Sequence, residues 1–313
     1  MTGERELLRE TVAALVAKHA SPAAVREAME SARGYDESLW RLLGGKVGVA
    51  ALVVPENYGG AGGDLGDAAV VVEELGKGLV PTPLLGHVLA ELALLAADEP
   101  DADALQRLAT GTAIGAVVFD PDYVVNGSIA DIVVAADGET LTRWSEFTAE
   151  PVACMDPTRR LARVTPQHTA TIGADPGIID TAAILLAAEQ IGAAARCLER
   201  TVAYTKERVQ FGRPIGSFQA LKHRMADLYV AVQAARAVVD DAITAPSPTS
   251  AALARVTASE AFSTVAAEGI QLHGGIAITW EHDMHLYFKR AHGSAQLLGP
   301  PRDYLRRLES AVF

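Results

Sequence analysis

Between Ile184 and Val239 the chain carries two apolar stripes at helical spacing with one sharp turn between them, and this constrains the fold more than any other feature. Ile184, Ala188, Ile191, Ala195, Leu198 and Val202 recur at steps of three and four, as do Phe218, Leu221, Met225, Leu228, Val232, Ala235 and Val239. Each stripe buries one face, so each helix needs a partner. The turn through Gly212, Pro214 and Gly216 makes the two helices antiparallel neighbours, with Ser217 as the expected N-cap of the second. A Pro/Ser linker at 245–250 precedes a third helix ending at Gly274-Gly275. A fourth covers roughly 282–298 and a terminal one 302–312. These long amphipathic segments predict an antiparallel bundle from residue 176 to 313.

Upstream, helical spacing predicts helices at 4–20, 35–44, 66–78, 84–97 and 101–110, with Pro81 and Pro83 breaking the chain. The glycine-rich run Val53–Gly63 reads on its own as a flexible connector. From 113 to 175 short Val-rich and Ile-rich runs (Ile114–Phe119, Ile129–Ala136, Leu161–Val164) predict a small β domain with turns at Asn126-Gly127 and Asp137-Gly138. The expected order is thus a helical domain (1–112), a β domain (113–175) and a bundle (176–313), mainly α with a small middle β domain.

Half of the 313 residues are hydrophobic, mostly Ala, Val and Leu with few aromatics, which suits packed helices. A formal net charge of −12 argues against a nucleic-acid partner. Two cysteines, Cys154 and Cys197, make no disulfide framework or metal pattern and suit a reducing compartment. The charged N-terminus and the absence of a long charge-free apolar run lead to the expectation of a soluble cytoplasmic protein with no membrane partner.

Two segments carry candidate chemistry. Arg208 precedes the Gly/Pro turn, where a guanidinium can fork onto a pyrophosphate, and Gln219 in the next helix's first turn can reach the same ligand. Gln271 stands before Gly274-Gly275, a pair that caps a helix or lets a ligand approach closely. By spacing alone both are ordinary helix ends. Glu189 within an apolar helix reads as a partly exposed, ion-paired carboxylate, or as a displaced base. Lys289 and Arg290 read as solvated charges or contacts to phosphate or an acidic partner. His282, His285 and His292 read as helix-surface or interface residues rather than metal ligands.

Taken together and in order, RVQFGRPIGSFQALKHRMADLYV, QLHGGIAITWEHDMHLYFKRA and VPENYGGAGG resemble the signatures of the acyl-CoA dehydrogenase family, over nearly the whole chain. Trp280-Glu281-His282-Asp283 has the look of its actinobacterial branch, and the chain resembles the short subunit of heteromeric (α2β2) steroid-degrading members. The resemblance implies an N-terminal helical domain, a reduced β-barrel and a C-terminal four-helix bundle, with FAD at a subunit interface. It implies that Arg208, Gln210, Phe211, Gln219, Gln271, Gly274 and Gly275 serve the adenosine-diphosphate half of a neighbouring subunit's FAD.

The same resemblance implies losses. The family's catalytic glutamate falls at Leu298 or Gly299, and neither accepts a proton. The rarer base position falls near Ala182, with Asp180 two residues off and Ala183 where an arginine often follows. The T-E-P-x-x-G-S-D and K-x-x-I-T-N segments that embrace the flavin ring are missing; Asp120–Gly127 keeps only a hairpin-like VVNG. The implied function is α,β-dehydrogenation of a CoA thioester, steroid-derived, by a complex in which a homologous subunit supplies the glutamate. The alternatives are an autonomous homo-oligomeric flavoenzyme with an atypical base, Glu189 or Asp180, and a non-catalytic structural homologue.

Overall fold

The computed structural model describes residues 3–312. The chain opens with α1 (Gly3–His19) and α2 (Pro22–Glu30). The second was not expected, yet Ser21 caps it by accepting from the Ala24 N–H and Pro22 stands at its start. Helix α3 (Glu37–Leu42), capped by Asp36, widens into a π turn that stops at Gly48, whose φ of 78° is left-handed. Helices α4 (Leu65–Lys77), α5 (Leu84–Leu95) and α6 (Ala102–Ala109) follow. Asp64 and Asp67 form a capping box at the start of α4, and Arg5 pairs with both.

The glycine-rich run is not the flexible connector that its composition suggests. It folds back onto residues 51–54: the Gly62 N–H donates to Val54 O at 2.9 Å and the Gly63 N–H to Leu52 O at 2.7 Å. A Cβ on Gly60 would lie 1.9 Å from Val54 O, so this close approach requires glycine.

The middle of the chain forms a sheet in the order β1-β3-β4-β5-β2. Its strands are β1 (Gly115–Val118), β2 (Val124–Val125), β3 (Ile132–Ala136), β4 (Thr140–Val152) and β5 (Leu161–Ala174). Asp137-Gly138 turns β3 into β4 as expected, with Gly138 at φ 91°. Asn126-Gly127 is not a hairpin turn. Asn126 is left-handed at φ 55° and starts a 3-10 turn, while β2 pairs with β5 across the sheet. The predicted Leu161–Val164 run is only the start of β5, which pairs with β4 over most of its length. Residues 165–171 of β5 are exposed, so they lack the alternation that marks a half-buried strand.

The bundle comprises α7 (Ile178–Glu207), α8 (Gln219–Thr244), α9 (Pro248–His273) and α10 (Met284–Gln296), closed by α11 (Pro301–Val312). On α8 the predicted stripe is buried at Met225, Leu228, Val232, Ala235 and Val239. Two boundaries differ from expectation. Ser217 does not cap α8: its hydroxyl donates to Pro214 O at 2.7 Å, and Phe218 stands at the cap position. The supposed linker contains the first turn of α9, where Ser247 and Ser250 form a capping box around Pro248.

Helix α7, 30 residues long, is apolar enough by length and composition to cross a bilayer, although Asp180 and Glu189 interrupt it and no charge-free run is that long. Most of its apolar window is buried inside the protein, and it packs against α4, α8 and α9. One cluster of buried side chains joins Val71, Leu75 and Leu89 to Ile184, Leu185, Ala188 and Val256, so the first helices and the bundle share a core.

Candidate functional site

Helix α7 ends at Glu207, and Arg208 follows in extended conformation. Two short strands, β6 (Val209–Gln210) and β7 (Arg213–Pro214), then make a tight hairpin. Its turn residues, Phe211 and Gly212, both have positive φ, 53° and 77°. That geometry suits a two-residue hairpin but is costly for a bulky residue. Phe211 is nevertheless 92% exposed, resting only edge-on against Phe218. Arg213 stacks over Phe218 at 4.0 Å.

Arg208 is exposed and makes no ion pair among the described residues. The Gln210 side-chain amide donates to its own strand, at Val209 O. Gln219 sits at the start of α8, where unpaired backbone N–H groups point outward, and its amide meets His223 at 2.8 Å. The second element lies where α9 ends. Gln271, Gly274 and Gly275 are exposed, Gly274 turns the chain at φ 68°, and no atom lies within 4 Å of a Cβ built on either glycine.

The structure brings the two elements together. The ends of α7 and α9 touch, the Tyr204 ring being stacked on His273. An outward guanidinium, a helix N-terminus and two glycines with open space suit the diphosphate half of a dinucleotide.

A cavity between α5, β1 and the end of α10 is different in kind. It measures about 680 Å³ and is lined largely by apolar residues, among them Leu85, Leu89, Phe119, Leu297 and Leu298. Its one acidic lining residue, Asp120, uses a carboxylate oxygen to hold the Asp122 N–H of its own turn. Leu298 and Gly299 both line this cavity and both have positive φ, 63° and 93°.

The loop carrying them is held from beneath by Arg255, a fully buried residue of α9. Its Nη2 donates to Ser294 O at 2.6 Å and Leu297 O at 2.7 Å. Its Nη1 reaches Ser259 and Gln190. Burial lowers this guanidinium's pKa to about 10. Tyr304 completes the support, donating to Leu298 O at 2.8 Å.

Neither candidate replacement base is free. Glu189 is buried, not partly exposed as its type suggested, and is clamped between the Arg159 and Arg290 guanidinia. Burial alone would raise its pKa. The two cations win and hold it below the usual carboxylate range, which makes it a poor proton acceptor. Asp180 pairs with Arg307 at 2.5 Å.

Arg290 is likewise no solvated charge. It is buried, donating to Asp156 at 2.6 Å as well as to Glu189 and Thr158. Lys289 lies over the Trp280 ring at 4.7 Å. His285 is buried edge-on to Trp280, His282 accepts from the Met284 N–H, and His292 is exposed.

Sequence reasoning missed Arg255, Arg159 and Asp156. A signal existed for the first. Arg255 falls in the buried stripe of α9, between Ala251 and Ala258, where a long cation must find carbonyls or acids. Arg159 and Asp156 sit in an irregular segment with no periodicity to read.

Comparison with known proteins identifies the family and the fold. Residues 2–112 match the model of the acyl-CoA dehydrogenase N-terminal domain, and residues 177–301 that of the C-terminal domain. The chain is 75% identical over 310 residues to acyl-CoA dehydrogenase IpdE2 of Mycobacterium tuberculosis, covering 99% of this chain and 98% of that one. Among solved structures, the Tcur3481-Tcur3483 steroid ACAD G363A variant superposes with a TM-score of 0.90 at 27% identity, covering 99% and 97% of the two chains. The ChsE4-ChsE5 complex from M. tuberculosis shares the fold, at TM-score 0.90, 24% identity and 100% and 98% coverage. The chain belongs to the acyl-CoA dehydrogenase family, whose members are FAD-dependent oxidoreductases.

Proposed function

We propose that this chain is the subunit without a base in a heteromeric acyl-CoA dehydrogenase that introduces an α,β double bond into a bulky, steroid-derived CoA thioester. One observation carries the reading. An exposed diphosphate grip, whose Arg208 has no ion pair among the described residues, coexists with a largely apolar cavity that shows Leu298 and Gly299 where the family's catalytic glutamate falls. A homologous partner supplies the catalytic glutamate and the pocket for the flavin ring. Two of the structural neighbours, Tcur3481-Tcur3483 and ChsE4-ChsE5, bear the names of paired chains, which supports a partner of this kind.

FAD, when bound, supplies the hydride acceptor. This chain's residues act on its far end. Arg208 neutralises the diphosphate, Gln219 and Gln271 offer amide hydrogen bonds, and Gly274-Gly275 leave room for the ligand. Phe211, held outward against its own backbone preference, meets the partner or its cofactor. An autonomous flavoenzyme would need Glu189 or Asp180 as its base, and both are committed to arginines.

The test is purification alone and with a co-expressed homologous dehydrogenase. The expected result is colourless, inactive protein alone and one yellow, active complex. Stoichiometric FAD and turnover in the lone chain overturn the reading. In the complex, Arg208→Ala lowers flavin occupancy; unchanged occupancy removes the grip from the account.

A further inference from the structure

Tyr204 stands four residues before Arg208, in the last turn of α7, and touches both halves of the grip. Its carbonyl accepts from the Arg208 N–H at 2.9 Å. Its hydroxyl crosses to α9 and donates to the His273 carbonyl at 3.2 Å. Its ring lies on the His273 imidazole, with centroids 4.2 Å apart and planes inclined by 23°. His273 Nδ1 meets Gly269 O at 2.7 Å, so that nitrogen carries the ring's proton and donates it. Burial lowers the imidazole's pKa to about 4, which keeps it neutral. The chain leaves the helix at the next residue, Gly274.

We propose that Tyr204 and His273 are positioning residues that fix the Arg208–Gln219 element against the Gln271–Gly275 element, so that one diphosphate ligand is held by both at once. The proposal rests on the reading of these elements as a flavin grip. The physical need is clear. Two elements on separate helices share a ligand only if their spacing is set within hydrogen-bond tolerance, and a spacing fixed beforehand spares the ligand that ordering cost. Tyr204 is the one described residue that hydrogen-bonds to both Arg208 and His273. Neither Tyr204 nor His273 needs to touch the cofactor.

The experiment uses the flavin-loaded complex and follows flavin release by fluorescence. Tyr204→Phe keeps the stacked ring and removes the bond to His273 O. Release is expected to accelerate about five-fold, the loss of one ordinary hydrogen bond. Melting of the flavin-free complex falls no further than with Tyr287→Phe, and KM for the acyl-CoA stays unchanged. Tyr287→Phe is the control, because that buried tyrosine donates to Lys77 O at 2.7 Å, away from the grip. It lowers the melting temperature and leaves flavin release alone.

If Arg208→Ala accelerates release and Tyr204→Phe does not, the positioning role is wrong and the grip stands. If neither changes release, the grip itself is wrong and the inference falls with it. If Tyr204→Phe and Tyr287→Phe both accelerate release in proportion to lost stability, Tyr204 is merely structural and the proposal is overturned.

Discussion

Replacing Glu189 by Gln separates a structural carboxylate from a catalytic one. The side chain is buried and balances two guanidinia that are themselves nearly inaccessible. Arg290 retains Asp156 after the substitution, but Arg159 loses its direct counter-ion and keeps only neutral partners, the Ser294 hydroxyl at 3.0 Å and the new amide oxygen. A buried cation stripped of its counter-ion costs on the order of 3–5 kcal/mol. In a chain of this size that lowers Tm by roughly 5–8 °C.

The pH dependence has a definite sign. The folded-state pKa of Glu189 is depressed, so its contribution is complete above the unfolded value of about 4.3 and is lost as pH falls through the folded value. The wild-type advantage over the Gln variant is therefore full at neutral pH and shrinks only in acid below about pH 4. The assay is thermal unfolding of both proteins from pH 3 to 8, with acyl-CoA turnover of the complex measured below the variant's melting range. Activity is expected to survive in whatever fraction remains folded. A variant that melts like wild type yet loses turnover by orders of magnitude would refute the reasoning and make Glu189 a base.

Two further substitutions probe the loop and the outward face. Arg255→Met strands the Ser294 and Leu297 carbonyls and is expected to cost about 3 kcal/mol. Thermal unfolding reads that cost, and hydrogen exchange is expected to rise first at residues 297–300. Phe211→Gly relieves a positive φ, so the isolated chain is expected to hold or gain up to about 1 kcal/mol in urea, while assembly with the partner weakens in sedimentation experiments.

The fold was legible wherever a helix buries one face. The stripe of α8 is the clean case, buried every three or four residues, while α7 is buried without a break over 182–194 and α9 was placed by the linker before it and the Gly274-Gly275 pair after it. Long β5 was not legible, since its outer half is exposed and shows no alternation. The glycine-rich run was misread because composition records permissive residues, not the approach to Val54 O that demands one. The proposed grip came from the resemblance of two short contiguous segments, since by spacing alone both read as ordinary helix ends. The Arg159–Glu189–Arg290–Asp156 cluster was not legible, because it assembles from three distant stretches, and partners so separated leave no local signal.

The support beneath Leu298 has a consequence of its own. Arg255 and Tyr304 hold that loop by its carbonyl oxygens, atoms that every residue type possesses. That hold does not depend on which side chain residue 298 displays toward the cavity. At 298, left-handed even with Leu in place, a reactive group can be exchanged for an inert one under the same hold, whereas 299, at φ 93°, favours glycine. A catalytic subunit and a silent one can then keep the same contour there, and the difference between them is chemical while the architecture stays shared.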